Sequence, residues 1–176
     1  MTVTIKRVSA KSARPRAAVT ISPSRRSAPA PEIQLFDFAM VFQAAPMDRL
    51  ETIKRGVRAG EVIKLAALMD TSQDRLMKRL GLPRATVVRK TKAHQNLSTE
   101  QGERVVGLSK LVGQVQTIVN ESGNPEGFDA KEWLDDWLTR PLPALGGDCA
   151  DNWLDTADRR AVIFNILACT QSGAYL

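Results

Sequence analysis

From Met47 the apolar positions Met47, Leu50, Ile53 and Val57 recur every three or four residues, which lays them on one face of a helix that Gly56 or Gly60 ends. Val62, Ile63, Leu65, Ala66, Leu68 and Met69 predict a second helix. Thr71 and Ser72 then offer caps to a short helix with Asp74 near its positive end and Leu76, Met77 and Leu80 turned inward. Gly81 ends that helix and Leu82 packs into the turn. Pro83 suits the first position of the next helix, where its missing N–H would go unpaired anyway, and Ala85 and Val88 are expected to point inward at three-residue spacing. The result is a helix, a tight glycine turn and a second helix.

Further along, Ser98 and Gln101 form a capping box for a long helix running to Glu121, with Val105, Leu108, Leu111, Val112, Val115, Ile118 and Val119 as its apolar stripe. The turn Ser122-Gly123-Asn124-Pro125 closes it, and a helix from about Asp129 is expected to bury Trp133, Leu134, Trp137 and Leu138 before Pro141 and Pro143 stop it. Past Ala144-Leu145-Gly146-Gly147, a short helical piece at Trp153-Leu154 leads to a last helix, from about Thr156 to Gln171, carrying Val162, Ile163, Ile166 and Leu167. Ile33, Leu35, Phe36, Phe38, Met40, Val41 and Phe42 form an apolar patch ahead of Pro46 that fits a strand or a first helical turn equally. The fold class these patterns predict is all-α.

Charge divides the chain into zones. Residues 1–31 carry seven basic side chains and no acid, among Ala, Ser and Pro that supply no packed face, so they read as a disordered basic arm. An arm of this kind also fits an organellar presequence or a non-specific nucleic-acid tether, but not a secretory signal, because no apolar stretch follows the basic residues. Asp48 to Lys92 holds twelve basic and five acidic side chains, whereas Ala93 to Leu176 holds six and twelve. One end should be drawn to polyanions and the other not. Arg84, Thr86, Arg89, Lys90 and Lys92, on the outer surface of the second helix of the pair, have the chemistry of phosphate and major-groove contacts; a solvated face on a structural helix pair has the same composition.

Catalytic and metal chemistry find no constellation. A single histidine, His94, builds neither a triad nor a metal site, and reads as a surface or C-capping residue. Cys149 and Cys169 lie apart without basic neighbours, which fits a reducing cytoplasm better than a disulfide framework. Asp135, Asp136, Asp151 and Asp155 read as solvated acids. Gly146-Gly147 lacks the lysine and spacing of a phosphate loop, and Asp148 after it would repel phosphate. Trp153, in an acidic segment after that loop, is placed to anchor an interface. No run approaches the roughly 20 apolar residues a spanning helix requires. A non-enzymatic, cofactor-free, metal-free protein is expected.

The order Trp137-Leu138-Thr139-Arg140-Pro141, Ala144-Leu145-Gly146-Gly147, Leu154-Asp155-Thr156, Ile163, Leu167 and Gly173 resembles the C-terminal domain of the MbcA/ParS/Xre antitoxins. Leu80-Gly81-Leu82-Pro83-Arg84 and Thr86-Val87-Val88-Arg89-Lys90 resemble the helix-turn-helix of the same family, and Leu97-Ser98 through Arg104 its following helix start. The resemblance covers roughly Met47 to Leu176. The chain departs from the pattern at Ala150 and Arg159, and its Glu126-Gly127 stretch is longer than usual.

The resemblance implies an Xre-like helix-turn-helix domain at 32–96, then a long helix and a small toxin-binding domain at 97–176. It implies a RES-domain toxin as partner, an enzyme that consumes NAD or transfers ADP-ribose from it, whose active-site entrance the antitoxin's C-terminal segment occludes. By position that segment is Gly173, Ala174, Tyr175 and Leu176, framed by the last helix and by Gly146 and Gly147, with Trp153 alongside. The resemblance further implies a homodimer and autorepression of the operon through Arg84, Thr86, Arg89 and Lys90, in a bacterial cytoplasm. A stand-alone regulator whose C-terminal half only dimerises remains the other reading.

Overall fold

A computed structural model describes residues 33–123 and 125–171. The basic arm and Gly173 to Leu176 lie outside the described residues. Among the described residues, eight α-helices and two short 3₁₀ turns follow one another in the order α1 (Phe38–Gln43), α2 (Pro46–Arg55), α3 (Gly60–Leu68), α4 (Gln73–Arg79), α5 (Arg84–Lys92), α6 (Thr99–Glu121), α7 (Ala130–Leu138), the turns Pro143–Leu145 and Ala150–Trp153, and α8 (Ala157–Gln171). The all-α expectation holds. Extended pairing is limited, among the described residues, to two single antiparallel bridges, Arg58 with Asn96 and Pro141 with Cys149.

α6 is the axis. The Ser98 hydroxyl accepts from the Gln101 backbone N–H at 3.3 Å and the Gln101 side chain accepts from the Ser98 N–H at 3.2 Å, so both ends of the capping box close. From Val105 to Val115 the helix is buried on nearly every face, by α1 and α2 on one side and α7 and α8 on the other. The ambiguous patch before Pro46 is helical. Asp37 caps α1 by accepting from the Met40 N–H at 3.0 Å, Phe38 and Val41 are buried, and α1 crosses α6 backbone to backbone at Gly113. A Cβ on Gly113 would stand far inside van der Waals contact distance of the Phe38 carbonyl oxygen and 2.6 Å from its carbon. Arg49 of α2 closes the other end of α1 by donating to the carbonyls of Val41, Phe42 and Ala44.

Three consecutive helices end alike. Asp70, Gly81 and His94 take positive φ of 50°, 59° and 52° after α3, α4 and α5. In each case the next residue's N–H returns to the carbonyl five back: Thr71 to Ala66 at 3.0 Å, Leu82 to Met77 at 2.8 Å, Gln95 to Lys90 at 2.9 Å. These stops fix the angles between α3, α4 and α5. His94 therefore sits in the C-terminal stop of α5, exposed.

Five expectations about packing change. Pro83 caps α5 from outside rather than opening it, and the inward residue of α5 is Val87, with Ala85 exposed and Val88 half-buried. The contact face is set by Val87 and Thr91, one turn apart, where Thr91 packs beside Gly60 of α3. Met47 and Leu50 are 63% and 39% exposed, because α2 rests on α6 through Ile53 and leaves its first turns projecting. Val162 is 38% exposed on the outer side of α8, and Trp133 is half-buried, stacked on Trp137 with ring centres 6.0 Å apart.

Two buried arginines bind the C-terminal helices to the helix-turn-helix. The Arg79 side chain, fully enclosed on α4, pairs with Asp135 of α7 at 2.6 Å and with Asp151 before α8. Arg160 of α8 grips Glu103 of α6 and donates to the Leu154 carbonyl at 2.7 Å; Gly107 leaves the room, since a Cβ there would stand 2.6 Å from the Arg160 Nε. Asp135 and Asp151 are thus structural ions facing inward, and only Asp136 with Arg140 and Asp155 with Arg159 form the surface pairs expected of such acids. No helix among the described residues is long and apolar enough to cross a membrane.

Candidate nucleic-acid interface and partner-facing loop

α4, the Gly81 turn and α5 form the candidate nucleic-acid interface. Ser72 caps α4 by accepting from the Arg75 N–H at 3.2 Å, and Leu76, Met77, Leu80 and Leu82 hold the pair on the core. With Val87 turned inward, the opposite side of α5 displays Ala85, Arg89 and Lys92, all exposed. Arg89 and Lys92 make no ion pair among the described residues and stand free for a polyanion. The other three sequence candidates differ. Arg84 is exposed but paired with Asp74 at 2.7 Å, Thr86 is half-buried on the flank, and the half-buried Lys90 donates to the Asn96 carbonyl at 2.9 Å, bracing the chain after α5.

The second candidate surface surrounds Gly146 and Gly147, both exposed in left-handed backbone at φ 67° and 89°, with nothing within 4 Å of where a Cβ would stand. Asp148 organises this loop. One carboxylate oxygen accepts from the Cys149 N–H and the Asn152 side chain at 2.8 Å each, and the other from the Trp153 indole N–H at 2.9 Å. These donors, the Asn152 and Trp153 side chains foremost, hold the Asp148 carboxyl below its ordinary range. The loop base closes where the Leu142 N–H meets the Asp148 carbonyl at 3.0 Å. Trp153 is half-buried, its edge tied to Asp148 and its ring covered by the Arg159 guanidinium 5.6 Å from the centre. Gly146, Gly147 and Trp153 thus share one ordered surface; Gly173, Ala174, Tyr175 and Leu176 fall outside the described residues. Asp148 and Arg159 are the residues that sequence reasoning missed here. The spacing of Asp148 to Asn152 and Trp153 across a short turn was the available signal.

A family model for the antitoxin Xre-like helix-turn-helix domain matches residues 48–110, from α2 into α6. The chain is also 46% identical over 140 residues to the Prs ADP-ribosylating antitoxin of Sphingobium sp. (strain YBL2), a match that covers 80% of this chain and 88% of the relative. That span exceeds the helix-turn-helix and takes in most of the helices packed against it. With a helix-turn-helix built as the sequence requires and a relative of this similarity along most of its length, the chain belongs to the Xre-like antitoxins of toxin–antitoxin systems.

Proposed function

We propose that this antitoxin silences a RES-domain toxin that consumes NAD or transfers ADP-ribose from it, by covering the toxin's active-site entrance with its acidic C-terminal half. The observation that carries the reading is the 46% identity over 140 residues to an antitoxin whose name couples it to ADP-ribosylation of Prs. The ordered loop at Gly146, Gly147 and Trp153 supplies a rigid frame, and Gly173, Ala174, Tyr175 and Leu176 supply the segment that enters the toxin. Chemistry belongs to the toxin, and the antitoxin contributes surface. A cationic NAD groove and an acidic cover attract one another, which speeds encounter and selects the partner more than it adds affinity.

The same chain represses its own operon as a pair of copies, with Arg89 and Lys92 on phosphates and Arg84, Thr86 and Lys90 beside them. The exposed, unpaired cations on α5 favour this part of the reading. The test is co-expression with the neighbouring toxin, followed by purification of what binds. Growth restored by the full chain and lost without residues 173–176 is expected. A toxin equally lethal with and without the chain refutes the reading, and operator binding with no co-purifying protein favours a stand-alone regulator.

A further inference from the structure

A groove of about 450 Å³ lies between α2, α6 and α8, and no residue of α5 or of the Gly146-Gly147 loop lines it. Met47 and Leu50 of α2 form one wall, Ala157, Ala161 and Phe164 of α8 the other, with Gly107 of α6 between them. Met47 and Leu50 are among the large hydrophobic side chains that the described residues leave exposed, so apolar surface stands open to water here. Small residues keep the trough open: Gly107 has no side chain, and the exposed Ala157 and Ala161 carry only a methyl.

The groove is also cationic. Arg49, Lys110 and Arg160 line it against one acid, Glu103. Arg160 engages Glu103 and the Leu154 carbonyl, and Arg49 donates to the carbonyls at the end of α1. Lys110 differs from both: its ammonium lies 4.0 Å from the centre of the Phe164 ring and has no acid partner among the described residues. Burial pushes Lys110 below the ordinary lysine value and the Arg49 charge adds to this, so an anion beside it favours the charged form that its surroundings oppose. Glu103 and Lys110 stand two turns apart on α6, about 10 Å by the rise of the helix, so Lys110 addresses one end of the groove.

These features select an occupant. One anionic group answers Lys110, and an apolar body answers the walls of α2 and α8. A peptide would bring backbone N–H and C=O groups that find no partner, because the other polar side chains of the groove already have theirs. We propose that the groove is a binding site for a small amphipathic carboxylate, an aliphatic chain ending in a carboxylate, with the head on Lys110 and the chain over Gly107 between Leu50 and Ala161. The site is separate from the toxin and operator surfaces proposed above and rests on neither reading.

Isothermal titration calorimetry of decanoate, below its micelle-forming concentration, into the full chain tests it. One saturable site per chain is expected. Decanol, which has the chain without the charge, should bind the unmodified protein about tenfold more weakly, the worth of one charge-assisted hydrogen bond. Lys110→Gln should weaken decanoate by the same factor and leave decanol unchanged. Ala161→Leu, which fills the trough from an exposed helical position, should abolish decanoate binding with an unchanged helical spectrum. The proposal is overturned if decanoate does not bind, if it binds at many sites indifferent to Ala161→Leu, or if Lys110→Gln leaves its affinity unchanged. Acetate that displaces decanoate at equal concentration overturns it as well, because the groove would then hold a simple anion and its apolar walls would contribute nothing.

Discussion

Arg79 Nη1 donates to Asp135 Oδ1 at 2.6 Å, joining the first helix of the helix-turn-helix to α7 across 56 residues of sequence. The guanidinium is fully buried and also holds Asp151, while its Nη2 has no hydrogen-bond partner. An enclosed cation is tolerable only while its anions remain in place. The two carboxylates, 17% and 24% exposed, retain access to water.

That asymmetry orders the expected losses. Asp135→Ala leaves a buried cation with one partner and should cost about 3 kcal/mol, near the lower end of the penalty for breaking a buried pair. Arg79→Met removes the charge, fills the volume and lets both acids turn to water, so it should cost less. Urea unfolding monitored by circular dichroism gives both numbers. An Arg79→Met variant less stable than Asp135→Ala would contradict the idea that charge burial dominates this junction.

Two glycines separate packing from backbone strain. Gly113→Ala drives a methyl into the Phe38 carbonyl, where α1 cannot withdraw without exposing Phe38 and Val41, so a loss of about 3 kcal/mol is expected. Gly147→Ala meets no atom and is penalised only for its positive φ, about 1–2 kcal/mol. Thermal unfolding should rank Gly113→Ala well below Gly147→Ala.

What the sequence made legible follows from periodicity and punctuation. The cap at Ser72, the stop at Gly81 and the capping box at Ser98 are local chemistry, and each stands where the residue types placed it. Features that depend on distant partners were not legible. Asp135 and Asp151 look like surface acids until α4 brings Arg79 between them, and Met47 and Leu50 follow helical spacing although no element covers them. The register of α5 also eluded pattern reading, because Ala85, Val87 and Val88 are all apolar and only packing against α3 selects Val87. At the Gly146-Gly147 loop, the glycine pair was visible but the role of Asp148 was not, since its three donors are side-chain and backbone groups brought together by a turn.

For operator binding, the structure separates cations that sequence alone groups together. Arg89→Ala combined with Lys92→Ala should lower DNA affinity and flatten the plot of log affinity against log salt by about 2, one unit for each phosphate that is no longer neutralised, with stability unchanged. Lys90→Ala removes the brace on the Asn96 carbonyl and should cost about 1 kcal/mol of stability, with a smaller change in salt slope. Fluorescence anisotropy with operator DNA at several salt concentrations distinguishes the two. An unchanged slope in the Arg89, Lys92 double variant would remove α5 from the interface.

The ionised carboxylate of Asp148 gathers the Cys149, Asn152 and Trp153 donors. Its carboxyl lies below the ordinary value, so the ionised form is favoured when the loop is folded. The stabilisation is complete above the unfolded-state value and disappears as pH falls through the lower folded-state value. Loop order and toxin binding should therefore be flat across neutral pH and fail only in strong acid. Asp148→Asn should impose the acid state at neutral pH. A neutral amide has one acceptor oxygen in place of two charged ones, and its NH₂ faces a donor, so the indole bond or the Asn152 bond must break. Expected are a shift in tryptophan fluorescence and about tenfold weaker toxin binding, with operator affinity retained because α5 lies outside the loop. Equal toxin affinity for Asp148→Asn and the unmodified chain, alongside altered fluorescence, would separate loop order from partner recognition and move the toxin-facing surface elsewhere on the C-terminal half.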